Sequence, residues 1–182
     1  YSERRLRNHC ADKNIVVYIS CQKYLERSLK SSISFEAKGY KSLIVIGSNE
    51  NYPETLGFEF DGKILKLPVI DDYEHLGSKV FYAYLILSLC GKPKSVTKVD
   101  DDIELDDPKT FSYCLRKINN KKIQYFGHII SPTHRNQCHG WHINKCSNKD
   151  LNLRGYQYPM PIAYACGGFG YILGPLLLKE CA

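Results

Sequence analysis

Three consecutive carboxylates, Asp100, Asp101 and Asp102, stand in the stretch TKVDDDIEL, directly after residues of strand-forming type. Aspartate is disfavoured in strands and adjacent like charges repel, so the run needs a compensating reason: a solvated acidic turn or a cation site. Residues two apart in an extended segment face the same way, so Asp100 and Asp102 are expected to converge on one point while Asp101 points elsewhere. Two hard oxygen donors beside an open position suit Mn²⁺ or Mg²⁺ completed by phosphate oxygens and water. A second group of chemically capable residues is HRNQCHGWH, from His134 to His142, with Cys146 beyond it. It contains no CxxC pair and fits no common structural zinc spacing, so a polar loop facing a substrate stands beside zinc as a reading of it.

The aspartates need a frame, and the apolar pattern supplies one. Residues 14–20 (NIVVYIS) read as a buried strand, 24–37 as a helix with Leu25, Leu29 and Ile33 on one face, and 42–47 (SLIVIG) as a second strand. Residues 64–69 form a third. Asp71 and Glu74 have capping-box spacing, and Tyr73, Leu76, Val80, Tyr84 and Leu87 follow at helical intervals, which predicts a helix over 72–89. The next strand is 94–99, ending at the aspartates. Asp107-Pro108 is a cap followed by proline at the first helical position, opening a helix through Phe111, Leu115 and Ile118. This alternation implies one α/β domain over 1–182, with a mostly parallel central sheet flanked by helices. Ligands of such sheets bind beyond the carboxyl ends of the strands, which is where Asp100 to Asp102 fall.

With 43% hydrophobic and 12% aromatic content, the 182 residues are enough for a sizeable core, which excludes a disordered chain. The formal charge of +6 is unevenly spread. Seventeen of the 19 acids lie at or before Asp107, against 15 of the 25 basic residues, so the first part is near −2 and the rest near +8. A basic second half suits an anionic ligand such as a nucleotide diphosphate or an acidic glycan. Nucleic acid is disfavoured, because the basic residues after Asp107 lack interleaved stacking aromatics. The uncharged run 156–178 carries Gly167, Gly168, Gly170, Gly174 and three prolines, so buried strand and loop are expected rather than a membrane span, and no anchor is visible. Eight cysteines lack a disulfide framework spacing, and none of the ten asparagines opens an Asn-x-Ser/Thr sequon, which leans toward the cytoplasm. The chain begins at Tyr1 rather than Met, as expected of a processed or trimmed piece.

Taken together, KVDDDIEL, the upstream LPVIDDYEHLGSKVFYAYLILSLC and the downstream YACGGFGYILG resemble glycosyltransferase family 31, the β1,3-galactosyltransferases and fringe-like enzymes. Asp71-Asp72-Tyr73 with Leu76 and Lys79 is similar to that family's D-x-Y-x-x-L-x-x-K helix, Asp100-Asp101-Asp102 to its DxD element, and Gly167-Gly168-Phe169-Gly170-Tyr171 to its GGxGY loop. The resemblance implies a GT-A-like (Rossmann-like) fold and a metal-dependent inverting hexosyltransferase, galactosyltransferase-like, acting on a glycan or glycoprotein hydroxyl. A divalent cation, Mn²⁺ or Mg²⁺, would be held by Asp102 and Asp100, and the UDP-hexose donor by Ser20, Cys21, Arg27, Lys79, Asp100 and Asp101. Trp141, His142, Gly167, Gly168 and Tyr171 would face the acceptor. The family's usual setting is the Golgi lumen, and its general base is implied beyond Ala182. A noncatalytic nucleotide-sugar or carbohydrate-binding module on the same fold is the alternative. For Lys79 a solvated helix lysine is the plain reading, for Trp141 a core residue, and for the glycines a tight turn.

Overall fold

The computed structural model describes residues 1–48, 57–120, 123–131, 133–153, 155–160 and 162–182, with the backbone alone described at 133–139 and 156–160. In chain order these hold α1 (Ser2–Cys10), β1 (Asn14–Ile19), α2 (Leu25–Glu36), β2 (Lys41–Gly47), β3 (Glu59–Phe60), β4 (Ile64–Leu67), α3 (Leu76–Ile86), β5 (Ser95–Asp100) and α4 (Pro108–Asn119). Short strands follow: β6 (Tyr125–Gly127), β7 (Ile129–Ile130), β8 (Thr133–His139), β9 (Tyr156–Met160), β10 (Tyr164–Ala165) and β11 (Tyr171–Leu173), then α5 (Pro175–Glu180). The main sheet has seven strands in the order β3-β4-β2-β1-β5-β11-β6. β4, β2, β1 and β5 are parallel neighbours, while β3 and β11 run against the strands beside them. The expected mostly parallel α/β sheet is therefore present. β7 pairs with β10, and β8 with β9, as two small antiparallel ribbons.

Continuous apolar runs mark strands buried on both faces, and β1 illustrates why. Ile15, Val17 and Ile19 pack into a cluster with Leu6 and Cys10 of α1, Ala83 and Tyr84 of α3, and Leu178 of α5. Val16 and Tyr18, one step out of phase, pack on the opposite face with Phe35 of α2 and Phe111 of α4. Burial of Cys10 against α1's inner face pushes its thiol up to about 12.

Two expectations need correction. In α2 the inward positions are Ser28, Ser31, Ser32 and Phe35, whereas Ile33 is exposed. The helix lies on the sheet through these small residues with Leu25 and Leu29 packed, partly buried, beside them, so the expected apolar stripe fails only at Ile33. Helix α3 begins at Leu76 rather than 72, because Asp71 and Glu74 form no capping box. Asp72 instead accepts from the His75 backbone N–H (2.9 Å), and Asp71 is drawn to β2. The helix then runs on through a wider π-type turn at Leu87–Gly91 and stops at Lys92, which is left-handed. Asp107 caps α4 as anticipated, accepting from the N–H groups of Lys109 (2.9 Å) and Thr110 (3.1 Å).

Candidate functional site

Sequence neighbours of β1 leave it in opposite directions across the sheet, toward β2 and β4 on one side and β5 on the other. That reversal opens a crevice outside the carboxyl ends of the two central strands, the place where open α/β sheets take ligands. Ile19 and Asp100 are in register there, so Ser20 and Cys21 leave β1 beside the acidic triplet.

Strand β5 ends at Asp100, and Asp101-Asp102 form a turn closed by the Ile103 N–H on the Asp100 carbonyl (3.4 Å). The expected alternation therefore stops before Asp102, and convergence of Asp100 and Asp102 by strand geometry does not apply. The loop beyond is fixed from below: the Tyr18 hydroxyl donates to the Ile103 carbonyl (2.9 Å), and the Leu105 N–H donates to Ser34 Oγ (2.9 Å). Burial of Tyr18 raises its hydroxyl's pKa, keeping it a donor. Asp101 accepts from Arg27 Nη2 at 2.6 Å, and the guanidinium stacks over Tyr24 with its carbon 4.3 Å from the ring centre. That hydrogen bond to Asp101 raises the pKa of Arg27. Asp102 is exposed, and no hydrogen bond or ion pair among the described residues engages its carboxylate.

Antiparallel pairing of β11 with β5 sets Tyr171 opposite Lys98, which brings the 166–170 loop over the end of β5. Lys98, two residues before Asp100 on the same face, is buried and donates both to the Asp100 carboxylate and to the Gly167 carbonyl (2.9 Å). Gly170 has φ +91, and a Cβ there would sit 2.8 Å from the Lys98 carbonyl oxygen, so glycine is required by the fold. Gly167 and Gly168 differ. A Cβ on either would meet nothing closer than 3.7 Å, the neighbours being Lys98 Nζ and Asp100 Oδ2, and neither has a left-handed φ. Their bareness leaves room beside the acid rather than relieving a clash.

Asp71 and Lys79 form a second constellation at this edge. The Asp71 carboxylate accepts from the N–H groups of Gln22 (2.6 Å) and Gly47 (2.8 Å) and from Lys79 Nζ (3.0 Å), whose other bond goes to the Ser20 carbonyl (2.9 Å). Lys79 is thus neither a solvated helix lysine nor open to a sugar; it ties α3 to the ends of β1 and β2. Ser20 is also buried, its hydroxyl accepting from Ser28 (2.7 Å), while Cys21 and Arg27 are partly open.

On the expected acceptor side, Trp141 is 58% exposed, which removes the core reading. Its backbone carbonyl accepts from the Tyr73 hydroxyl (3.3 Å), and nearby Glu74 accepts from Ser147 Oγ (2.7 Å) and the Asn148 N–H (2.9 Å), fastening this loop to the start of α3. His142 is buried. Tyr171 departs from its expected place: its hydroxyl bonds that of Tyr84 at 2.6 Å inside the cluster under α3, and desolvation raises the pKa of both. For the zinc reading, Cys146 Sγ donates to the His142 carbonyl (3.6 Å), and the side chains of His134, Cys138 and His139 lie outside the described residues. Among the described residues no group of three or more His, Cys, Asp or Glu could hold a metal. The donors at β5 still fit a hard cation that brings its own oxygens: Asp102 is exposed and makes no hydrogen bond or ion pair among the described residues, and Asp100, though paired, keeps its side chain 44% exposed.

Sequence reasoning missed Lys98 and the role of Asp71. The signal for Lys98 was a lone lysine inside a buried strand, two residues before an acid. No helix among the described residues is long and apolar enough to cross a membrane. No family model matches the chain, and no curated protein matches it.

Proposed function

We propose that the chain is a metal-dependent inverting glycosyltransferase moving a hexose from a nucleotide sugar, UDP-linked by the resemblance of its motifs, to a glycan or glycoprotein hydroxyl. On this reading the sheet is a GT-A-type version of the α/β fold. The observation that carries it is the β5–β11 pairing, which brings the acidic triplet and the two sterically unneeded glycines to one crevice at the point where strand order reverses. Asp102 and Asp100 would hold Mn²⁺ or Mg²⁺, whose chemistry is to neutralise the charge that grows on the departing pyrophosphate. Arg27, fixed by Asp101 and Tyr24, lines the nucleotide side with Cys21, and Ser20 shapes the floor through its backbone. Gly167 and Gly168 admit the sugar close to the backbone. Trp141 offers a ring face to the acceptor.

Calorimetric titration of UDP with and without Mn²⁺ tests this. Binding should require the cation, and Asp102→Asn should weaken it by about 10-fold or more, the size of one lost charge-assisted contact of roughly 1.5–3 kcal/mol. Unchanged metal-dependent affinity in a folded Asp102→Asn protein removes the assignment. A noncatalytic nucleotide-sugar or carbohydrate-binding module is the second reading, favoured by the pairing of Asp100 with Lys98 and of Asp101 with Arg27. Metal-dependent hydrolysis of UDP-hexose supports the enzyme, and tight binding without turnover supports the module.

A further inference from the structure

We propose that Lys98 is a positioning residue that couples the acidic turn to the glycine loop, its buried ammonium holding the Asp100 carboxylate and the Gly167 carbonyl together. The inference rests on the nucleotide-sugar reading for its ligand and on the fold alone for its geometry.

A lysine in a strand covered on both faces ordinarily extends its stem to put the charge in water. Lys98 does not: its side chain is only 7% exposed. Burying an ammonium costs several kcal/mol unless acceptors compensate, and an apolar residue, as at Val96 and Val99, would suit the packing without that cost. The compensation comes from two different segments. One acceptor is Asp100, the last residue of β5; the other is Gly167, 69 residues further on, at 2.9 Å. Gly168 follows immediately, and a Cβ there would lie 3.7 Å from Asp100 Oδ2, in ordinary van der Waals contact, so loop and carboxylate face each other with room for a methyl group between them. Downstream, Gly170 is pressed onto the Lys98 backbone and cannot shift independently. The loop is thus pinned to β5 at one end by backbone packing and at the other by the Lys98 ammonium, while the Cys166 N–H on the His128 carbonyl (2.8 Å) ties its start to the neighbouring strand segment and not to β5. A ligand that recruits the Asp100 carboxylate changes what Lys98 is bonded to, and the Gly167 carbonyl is the other end of that link. Lys98 touches no ligand in this arrangement; it acts through Asp100 and Gly167.

Amide hydrogen exchange on the intact chain reads the coupling. In the unliganded protein, Lys98→Met should speed exchange at 166–170 by about 10-fold, the local opening expected from losing a charge-assisted hydrogen bond, while β1 and β2 keep their protection. With Mn²⁺ and UDP, the unsubstituted protein should gain protection at both 101–105 and 166–170, and Lys98→Met at 101–105 only. Equal loosening of β5, β11 and the loop marks Lys98 as ordinary packing and overturns the proposal, as does unchanged exchange at 166–170. Should Lys98→Met fail to fold, Asp100→Ala breaks the same link from its exposed end. Faster loop exchange in that variant supports the coupling and unchanged exchange overturns it. If UDP does not bind the unsubstituted protein, the nucleotide-sugar reading falls, and the ligand-free arms decide the coupling by themselves.

Discussion

Two lysine–aspartate pairs sit at the same edge of the sheet, and they differ in what surrounds them. In the Asp71–Lys79 pair both side chains are 3% exposed, and the carboxylate also accepts two backbone N–H groups, from Gln22 and Gly47. In the Lys98–Asp100 pair the lysine is also buried, but the aspartate is 44% exposed and lies beside the bare backbone of Gly168. The first pair is closed to solvent and joins three elements; it is a fastening. The second keeps its charge at the surface on one side only, which is what a ligand-facing carboxylate with a fixed position requires. Similar ion pairs at one edge of the sheet therefore differ in solvent access to the acid, and on the proposed reading the closed one serves stability and the open one recognition.

Breaking both pairs gives the sharpest contrast. Asp71→Ala strands a buried ammonium and two N–H groups and should cost about 3–5 kcal/mol in chemical denaturation, whereas Asp100→Ala, where water can replace the carboxylate, should cost about 1 kcal/mol. Comparable losses would mean that the open pair is a fastening too. Next in size is Gly168→Ala. Its methyl group fits the fold, so the unfolding free energy should stay within about 0.5 kcal/mol of the parent, yet it fills the space beside Asp100 and should weaken UDP-hexose binding by about 10-fold. Unchanged binding in calorimetry would strip that space of its assigned role. The smallest effect concerns Glu74, an acid held by neutral donors rather than a lysine. The hydrogen bonds from Asn148 N–H and Ser147 Oγ lower its pKa from the ordinary 4.5 to about 2. A depressed carboxylate stabilises fully above its unfolded value, so the contact should be intact above pH 4.5 and lost as pH falls through about 2. The Asn148 amide shift in an NMR titration should follow that curve in the parent and be flat in Glu74→Gln.

Strands β1 and β2 were legible because they are apolar on both faces, a pattern that needs no knowledge of neighbours, whereas β4 and β5, which carry Lys66 and Ser95, Thr97 and Lys98, were legible from shorter apolar runs. α4 was legible through its Asp107-Pro108 start. Helix α1 was not anticipated: its polar run buries only Leu6 and Cys10, one turn apart. The insertion of β11 between β5 and β6 could not be read either, since no local pattern says which strand a late segment will join. Site legibility divides the same way. The acidic triplet announces itself by composition, but the turn at Asp101 and the bridge from Lys98 to Gly167 depend on a pairing 69 residues distant. Tyr171 was placed with the loop by its motif, whereas register sends its hydroxyl inward to Tyr84.

The position of Trp141 has a spectroscopic consequence. It is the only tryptophan in the chain, it is 58% exposed, and its carbonyl is hydrogen-bonded to Tyr73 beside the start of α3. Selectively excited emission therefore comes from one indole in one loop, with no background from the core. On the proposed reading a sugar ring laid on that indole would dry its face and shift the emission to the blue. The molecule carries its own site-specific fluorophore, and anything that covers this loop can be titrated without attaching a label.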